Sequence, residues 1–127
     1  MANRFNEVAE SSDIRAAVRA LQIWQYLIAR AQNRQIVRYP ELSDLIGYSD
    51  NRPLTQILGH IMYYCHDHDL PPLSILVVNR DGTPGPGFTE TPRDELDRTR
   101  EDVFAFDWYG IYPPSPQEFR EAWDNNS

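Results

Sequence analysis

Apolar residues at Ile14, Val18, Leu21, Trp24, Ile28 and Ala31 recur at steps of three and four. That period predicts a helix over about 13–31 with one apolar face, capped by Ser11 or Ser12. Ile36-Val37-Arg38 is a candidate short strand. A brief second helix follows, with Pro40 in its first turn, Leu42, Leu45 and Ile46 facing inward, and Gly47 closing it. Residues 48–52 form a turn, and Pro53 opens a third helix. The apolar face of that helix is Leu54, Ile57, Leu58, Ile61, Met62 and Cys65.

Leu70-Pro71-Pro72 breaks the pattern. Residues 73–79 are then apolar on both faces, as in an inner strand. Arg80-Asp81-Gly82 signals a turn, and the chain returns through Thr83 to Phe88. Pro84 and Pro86 make the returning strand irregular or an edge. Gly82, Gly85 and Gly87 supply positive φ angles or close approach. Thr91-Pro92-Arg93-Asp94 opens a helix to about residue 106, and Ser115-Pro116-Gln117-Glu118 another to about 123.

These elements predict an α+β fold: a small winged helix-turn-helix of three helices and a β-hairpin wing, with a further C-terminal helical segment. The 127 residues suit a single domain. Residues 12–88 form the winged-helix core, and 89–127 an acidic, aromatic helical extension packed on it. Val103, Phe104, Phe106, Trp108, Tyr109, Ile111, Tyr112, Phe119 and Trp123 make the tail too aromatic for a disordered acidic segment.

Charge changes the functional picture. The chain carries a formal net charge of −7. Residues 1–83 hold eight arginines against nine carboxylates, whereas residues 84–127 hold four against ten. Yet residues 14–40 contain five arginines (Arg15, Arg19, Arg30, Arg34 and Arg38) and no acid. The first reading of these is solvated helix positions that pair with the acidic tail. The second is a phosphate-binding face.

The sequence contains no lysine. That excludes a Gly-Lys phosphate-binding loop, a Schiff-base lysine and any nuclease core built on a catalytic lysine. Every cation except histidine is a guanidinium, suited to bidentate contacts with carboxylate, phosphate or guanine. The single cysteine, Cys65, leaves no internal disulfide and suits a reducing cytoplasm. No run of ~18 apolar residues is present for a membrane span. The N-terminal MANRFNEVAESSD has no apolar signal core.

Candidate chemistry is sparse. His60, Cys65, His66 and His68, with Asp67 and Asp69, have the composition of metal ligands. On a helix, however, His60 and His68 fall near one face while Cys65 and His66 turn away. No second Cys/His group completes a tetrahedral site, so neither metal nor cofactor is expected. Cys65 lies on the apolar side beside acids, the setting of a structural thiol. Ser74 has no oxyanion loop around it. The acids of the segment DELDRTRED are spaced as ion pairs on a solvated helix. No catalytic constellation is found, and an enzyme is not expected.

Binding is therefore the expected activity. If the third helix entered a major groove, Gln56 would read adenine and Arg52 a phosphate or guanine, with Thr55 alongside. Arg30, Arg34, Arg38, Arg52 and the wing residue Arg80 are the arginines available for phosphates. A DNA binder commonly makes ~6–10 phosphate contacts, so affinity for bare DNA should be modest.

One stretch carries a resemblance. Tyr39-x-Glu41-Leu42-x-x-x-Ile46-Gly47, Arg52-x-Leu54, Pro72-Leu73 before Val77-Val78, Asp81-Gly82 and Gly87-Phe88 together resemble the winged-helix part of the DNA alkyltransferase and alkyltransferase-like family. The likeness covers about fifty residues and requires small insertions. It implies that Tyr39 would rotate a nucleotide phosphate and Arg52 fill the gap left by a flipped base. The family's Pro-Cys-His-Arg signature is replaced here by Pro72-Leu73-Ser74-Ile75. The alkyl-accepting cysteine and its histidine are both missing, so alkyl transfer is not implied.

Two readings result. In the first, a cytoplasmic, non-enzymatic winged-helix protein binds DNA or works within a nucleic-acid-associated complex, through Tyr39, Arg52, Thr55, Gln56, Arg34, Arg38 and Arg80. In the second, the acidic tail docks on a protein of a nucleic-acid-processing or defence system, as an anti-CRISPR or anti-restriction inhibitor of phage type does. Its contact residues would be Asp94, Asp97, Glu101, Trp108, Tyr109 and Tyr112. Neither reading involves a membrane, and both leave a homodimer open.

Overall fold

A computed structural model describes residues 12–48, 52–85 and 87–127. Among these residues the chain forms five α-helices and one two-stranded sheet. The elements are α1 (Ser12–Gln32), β1 (Val37–Arg38), α2 (Tyr39–Leu45), α3 (Arg52–Asp67), β2 (Val77–Val78), α4 (Leu96–Ala105) and α5 (Pro116–Asn126). Short 3-10 turns precede β2 and α4 and lie between α4 and α5. The fold is α-rich, with a small β component. Among the described residues no helix is long and apolar enough to cross a membrane.

The long first helix forms as the periodicity predicts, but its buried stripe is rotated. Ala16, Ala17, Ala20, Ile23, Trp24, Leu27, Ile28 and Ala31 are buried. Ile14, Val18 and Leu21 lie at the edge. Alanines contribute little to an apolar pattern, yet they let neighbouring elements approach closely, so they occupy the centre of the face. Ser11, one of the two expected caps, lies outside the described residues.

In α2, Leu42 and Ile46 are buried as expected, but Leu45 is 53% exposed and Ser43 takes an interior position. Arg38 caps this helix: its backbone N–H donates to Glu41 Oε1 at 2.9 Å. The turn expected at 48–52 lies largely outside the described residues. All six predicted apolar positions of α3 are buried, and His60 and Tyr64 are buried with them. A one-faced helix would expose those two. Here α5 covers that side.

The strand expected at 73–79 is corrected. Residues Leu73–Leu76 form a 3-10 turn, and only Val77–Val78 are extended. The burial expectation survives, since Leu73, Ile75, Leu76, Val77 and Val78 are all fully enclosed. Pro71 and Pro72 remove two backbone donors just before this stretch. The chain then coils beneath α1 and α3 rather than extending.

Strand β2 pairs with β1 in parallel, Val37 with Val77 and Arg38 with Val78. The crossover between them consists of α2 and α3. Among the described residues the expected antiparallel hairpin reduces to one bridge, Val78 with Pro84, closed by Asn79 N–H to Thr83 O at 2.7 Å. A full ladder cannot form where Pro84 offers no donor. Gly82 adopts φ 88° in the turn. Asp81 Oδ1 accepts from both the backbone and the hydroxyl of Thr83. Arg100 of α4 donates to Gly82 O at 3.0 Å, holding the tip down.

The C-terminal segment is built into the core. Trp108, Phe119 and Val103 are fully buried. Trp108 Nε1–H donates to Val103 O at 2.8 Å. Helix α5 starts on the expected capping box: Ser115 Oγ accepts from Glu118 N, and Glu118 Oε1 accepts from Ser115 N. The box expected at Thr91 is not made. A 3-10 turn over Arg93–Glu95 opens that helix without a side-chain cap.

Candidate nucleic-acid interface

The residues assigned to nucleic acid separate into two groups. Arg52, Thr55 and Gln56 are exposed on the first turn of α3. Arg38 is exposed on β1, in register with Val78, two residues before the exposed Arg80 at the hairpin. Tyr39 links the two, because its ring and Thr55 line the same notch. Tyr39 is half-buried, and its hydroxyl lies against Gly85. Burial pushes the Tyr39 phenol upward, and the Gly85 N–H donated to its oxygen acts in the opposite direction. A Cβ at Gly85 would overlap that hydroxyl, so close approach is what this glycine provides.

Arg34 is not part of the group. Its guanidinium pairs with Glu101 of α4 and lies over the Phe104 ring, 5.2 Å from the centroid. Arg30 is likewise engaged, by the Tyr26 hydroxyl at 3.1 Å from its Nε and by Glu41 at 3.8 Å. The tail therefore engages Arg34, and the exposed arginines beside the start of α3 are Arg38, Arg52 and Arg80. Glu41, Asp44 and Asp81 are exposed in the same region, so the local charge is close to balanced. Thr83 holds the Asp81 carboxyl below the usual carboxylate range.

The N-terminal turn of α3 is open for a groove, and the middle of the helix is covered. His60, one turn beyond Gln56, is buried. Its Nδ1–H donates to Gln56 O at 2.8 Å, and its ring stacks on Trp123 of α5 at 4.8 Å. No pattern in α3 alone shows this, because the covering residue is 63 positions downstream.

The tail residues also divide. Trp108 is 1% exposed, a core residue and not the surface contact expected for a partner. Glu101 is held by Arg34. Asp97 lies 3.6 Å from Arg100, one turn along α4, and Asp94 is exposed. Tyr109 and Tyr112 are 61% and 94% exposed.

The histidine-rich end of α3 is dispersed. His66 Nδ1 is 3.0 Å from Glu90, and His68 stacks on Tyr64. Among the described residues no three His, Cys, Asp or Glu side chains form a metal-binding group. Cys65 is buried, and that burial pushes its thiol up to about 12, far from a thiolate nucleophile at neutral pH.

No protein-family model, curated protein or solved structure matches this chain.

Proposed function

We propose that the protein is a non-catalytic binding module that contacts nucleic acid through the first turn of α3, with Arg38 and Arg80 beside it. The observation carrying this reading is the joint exposure of Arg52, Thr55 and Gln56 on one helix start. Recognition helices commonly present their N-terminal residues to base edges. Bidentate groups suit that task, Gln56 toward adenine and Arg52 toward guanine or phosphate. The acidic remainder repels the duplex elsewhere and confines contact to this face. The likeness to the alkyltransferase-like winged helix agrees with Tyr39 and Arg52 as contacts, and the missing cysteine with binding alone.

The test is fluorescence anisotropy of labelled duplex and single-stranded DNA at about 50 mM salt, where phosphate contacts are strongest. Binding should occur, and Arg52→Ala should weaken it about tenfold. No binding to either DNA at that salt overturns direct contact.

A second reading rests on Tyr112 and Tyr109. Large exposed aromatics beside a strongly acidic segment suit docking on a basic protein surface, such as the nucleic-acid channel of a processing or defence enzyme. With Trp108 in the core and Glu101 engaged, its contacts would be Asp94, Asp97, Tyr109 and Tyr112.

A further inference from the structure

Arg80 is exposed in a tight turn of the chain. Gly82 N–H donates to Asn79 O at 2.9 Å, so Arg80 and Asp81 are the two residues at its corner. Gly82 takes φ 88°, which suits a residue without a Cβ. The Asp81 carboxylate accepts from the Thr83 N–H at 3.1 Å and from the Thr83 hydroxyl at 2.7 Å. Arg80 itself makes no hydrogen bond or ion pair among the described residues.

Two sets of contacts hold this turn. In the first, the Asn79 side-chain amide donates to Pro84 O at 3.3 Å, and the Tyr39 hydroxyl accepts from Gly85 N–H. The second is Arg100 of α4. One of its terminal N–H groups donates to Gly82 O at 3.0 Å, and the other terminal nitrogen lies 3.6 Å from Asp97. The Arg100 side chain is only 18% exposed, and its Nε is buried without a partner among the described residues. A long cationic side chain ordinarily keeps its head in water. Here the guanidinium is enclosed, and its rigid fork spans one acceptor in the turn and one in its own helix.

We infer that Arg100 is a positioning residue for Arg80: it fixes the hairpin turn so that the Arg80 guanidinium is presented to a phosphate. Arg100 is too enclosed to take that phosphate itself. A charge held in place before binding loses less freedom on contact. The role rests on the nucleic-acid reading, and it adds that a helix of the acidic extension supports one contact of that face.

The experiment is the salt dependence of DNA affinity, read by fluorescence anisotropy on the parent protein, Arg80→Ala, Arg100→Ala and the double variant. Arg100→Ala should reduce the slope of log K against log salt by about 0.9, the worth of one phosphate contact, as Arg80→Ala does. The double variant should lose no more than either single variant. A merely structural Arg100 would lower the unfolding midpoint without moving the slope. An unchanged slope in Arg100→Ala, or a double variant that loses the sum of the two, would overturn the inference. A parent that binds no DNA removes the nucleic-acid reading and this role with it. A parent that binds while Arg100→Ala keeps its slope removes the role alone. A second measurement needs no variant. Backbone amide order parameters at residues 79–82 of the free parent should be about 0.85, as in rigid backbone. Values below about 0.6 would overturn the inference even where Arg100→Ala folds poorly.

Discussion

The Trp24 and Trp108 rings meet edge to face, with centroids 5.5 Å apart and planes at 88°. This contact joins the first helix to the segment after α4. Phe119 of α5 approaches the same Trp24 ring at 5.7 Å. The acidic tail is thus an integral part of the core, and the region before it has no complete interior of its own. Aromatic pairs of this geometry contribute about 0.5–1.5 kcal/mol beyond the area they bury.

Trp108→Ala should cost about 3–5 kcal/mol, as truncation of a buried aromatic does. Tyr112→Ala, at a residue 94% exposed, should stay within about 0.5 kcal/mol of the parent. Urea denaturation of the two variants checks the pair. Equal effects would remove Trp108 from the core.

The cap of α5 should be measurable separately. Ser115→Ala removes the side-chain acceptor for Glu118 N and should cost about 1 kcal/mol. Because α5 packs on both α1 and α3, the loss should appear as a lower global midpoint and not as local fraying. Thermal unfolding followed at two probes, far-UV circular dichroism and tryptophan fluorescence, reads this directly.

Cys65 gives a pH dependence. Its thiol is raised in the folded state to about 12, above the ~8.5 of an exposed cysteine. The folded state therefore holds this proton more tightly than the unfolded one. The stabilisation is complete below the unfolded value and declines as pH climbs from there toward about 12. Within that window the loss from this group approaches about 1.4 kcal/mol per pH unit. Cys65→Ala should flatten the alkaline limb of a stability profile. In the native protein at pH 8, a thiol reagent should react only at the rate of unfolding.

The Arg34–Glu101 pair and the nucleic-acid face should respond differently to substitution. Arg34→Ala breaks an exposed ion pair and should cost under about 1 kcal/mol, with little effect on DNA affinity. Arg38→Ala and Arg80→Ala should each reduce the salt dependence of binding by about one phosphate contact. With three guanidiniums on the face, the slope of log K against log salt should be about −3. A slope of about −4.5, the value for five contacts, would bring Arg30 and Arg34 back into the interface.

Gly85→Ala tests the closure around Tyr39. An added Cβ meets the Tyr39 hydroxyl, so the ring must move or the hairpin must lift. The expected outcome is a loss of about 1–3 kcal/mol with perturbed amide resonances at Thr55 and Gly87. An unperturbed spectrum would show that Tyr39 is not seated on this glycine.

Much was legible in the residue order. The 3.6-residue period located α1 and α3, Pro40 and Gly47 bracketed α2, and Ser115 with Glu118 marked the start of α5. Such signals are local: helix faces and caps depend on residues within one or two turns. The aromatic content of the tail likewise required a folded segment, since an acidic disordered chain would not bear it. Tertiary packing decided the rest. It turned Leu73–Leu76 from a strand into a 3-10 turn, buried His60 under Trp123, drew Trp108 into the core and assigned Arg34 to Glu101. Each of these depends on which distant surface arrives against a residue, and that information is absent from any short window.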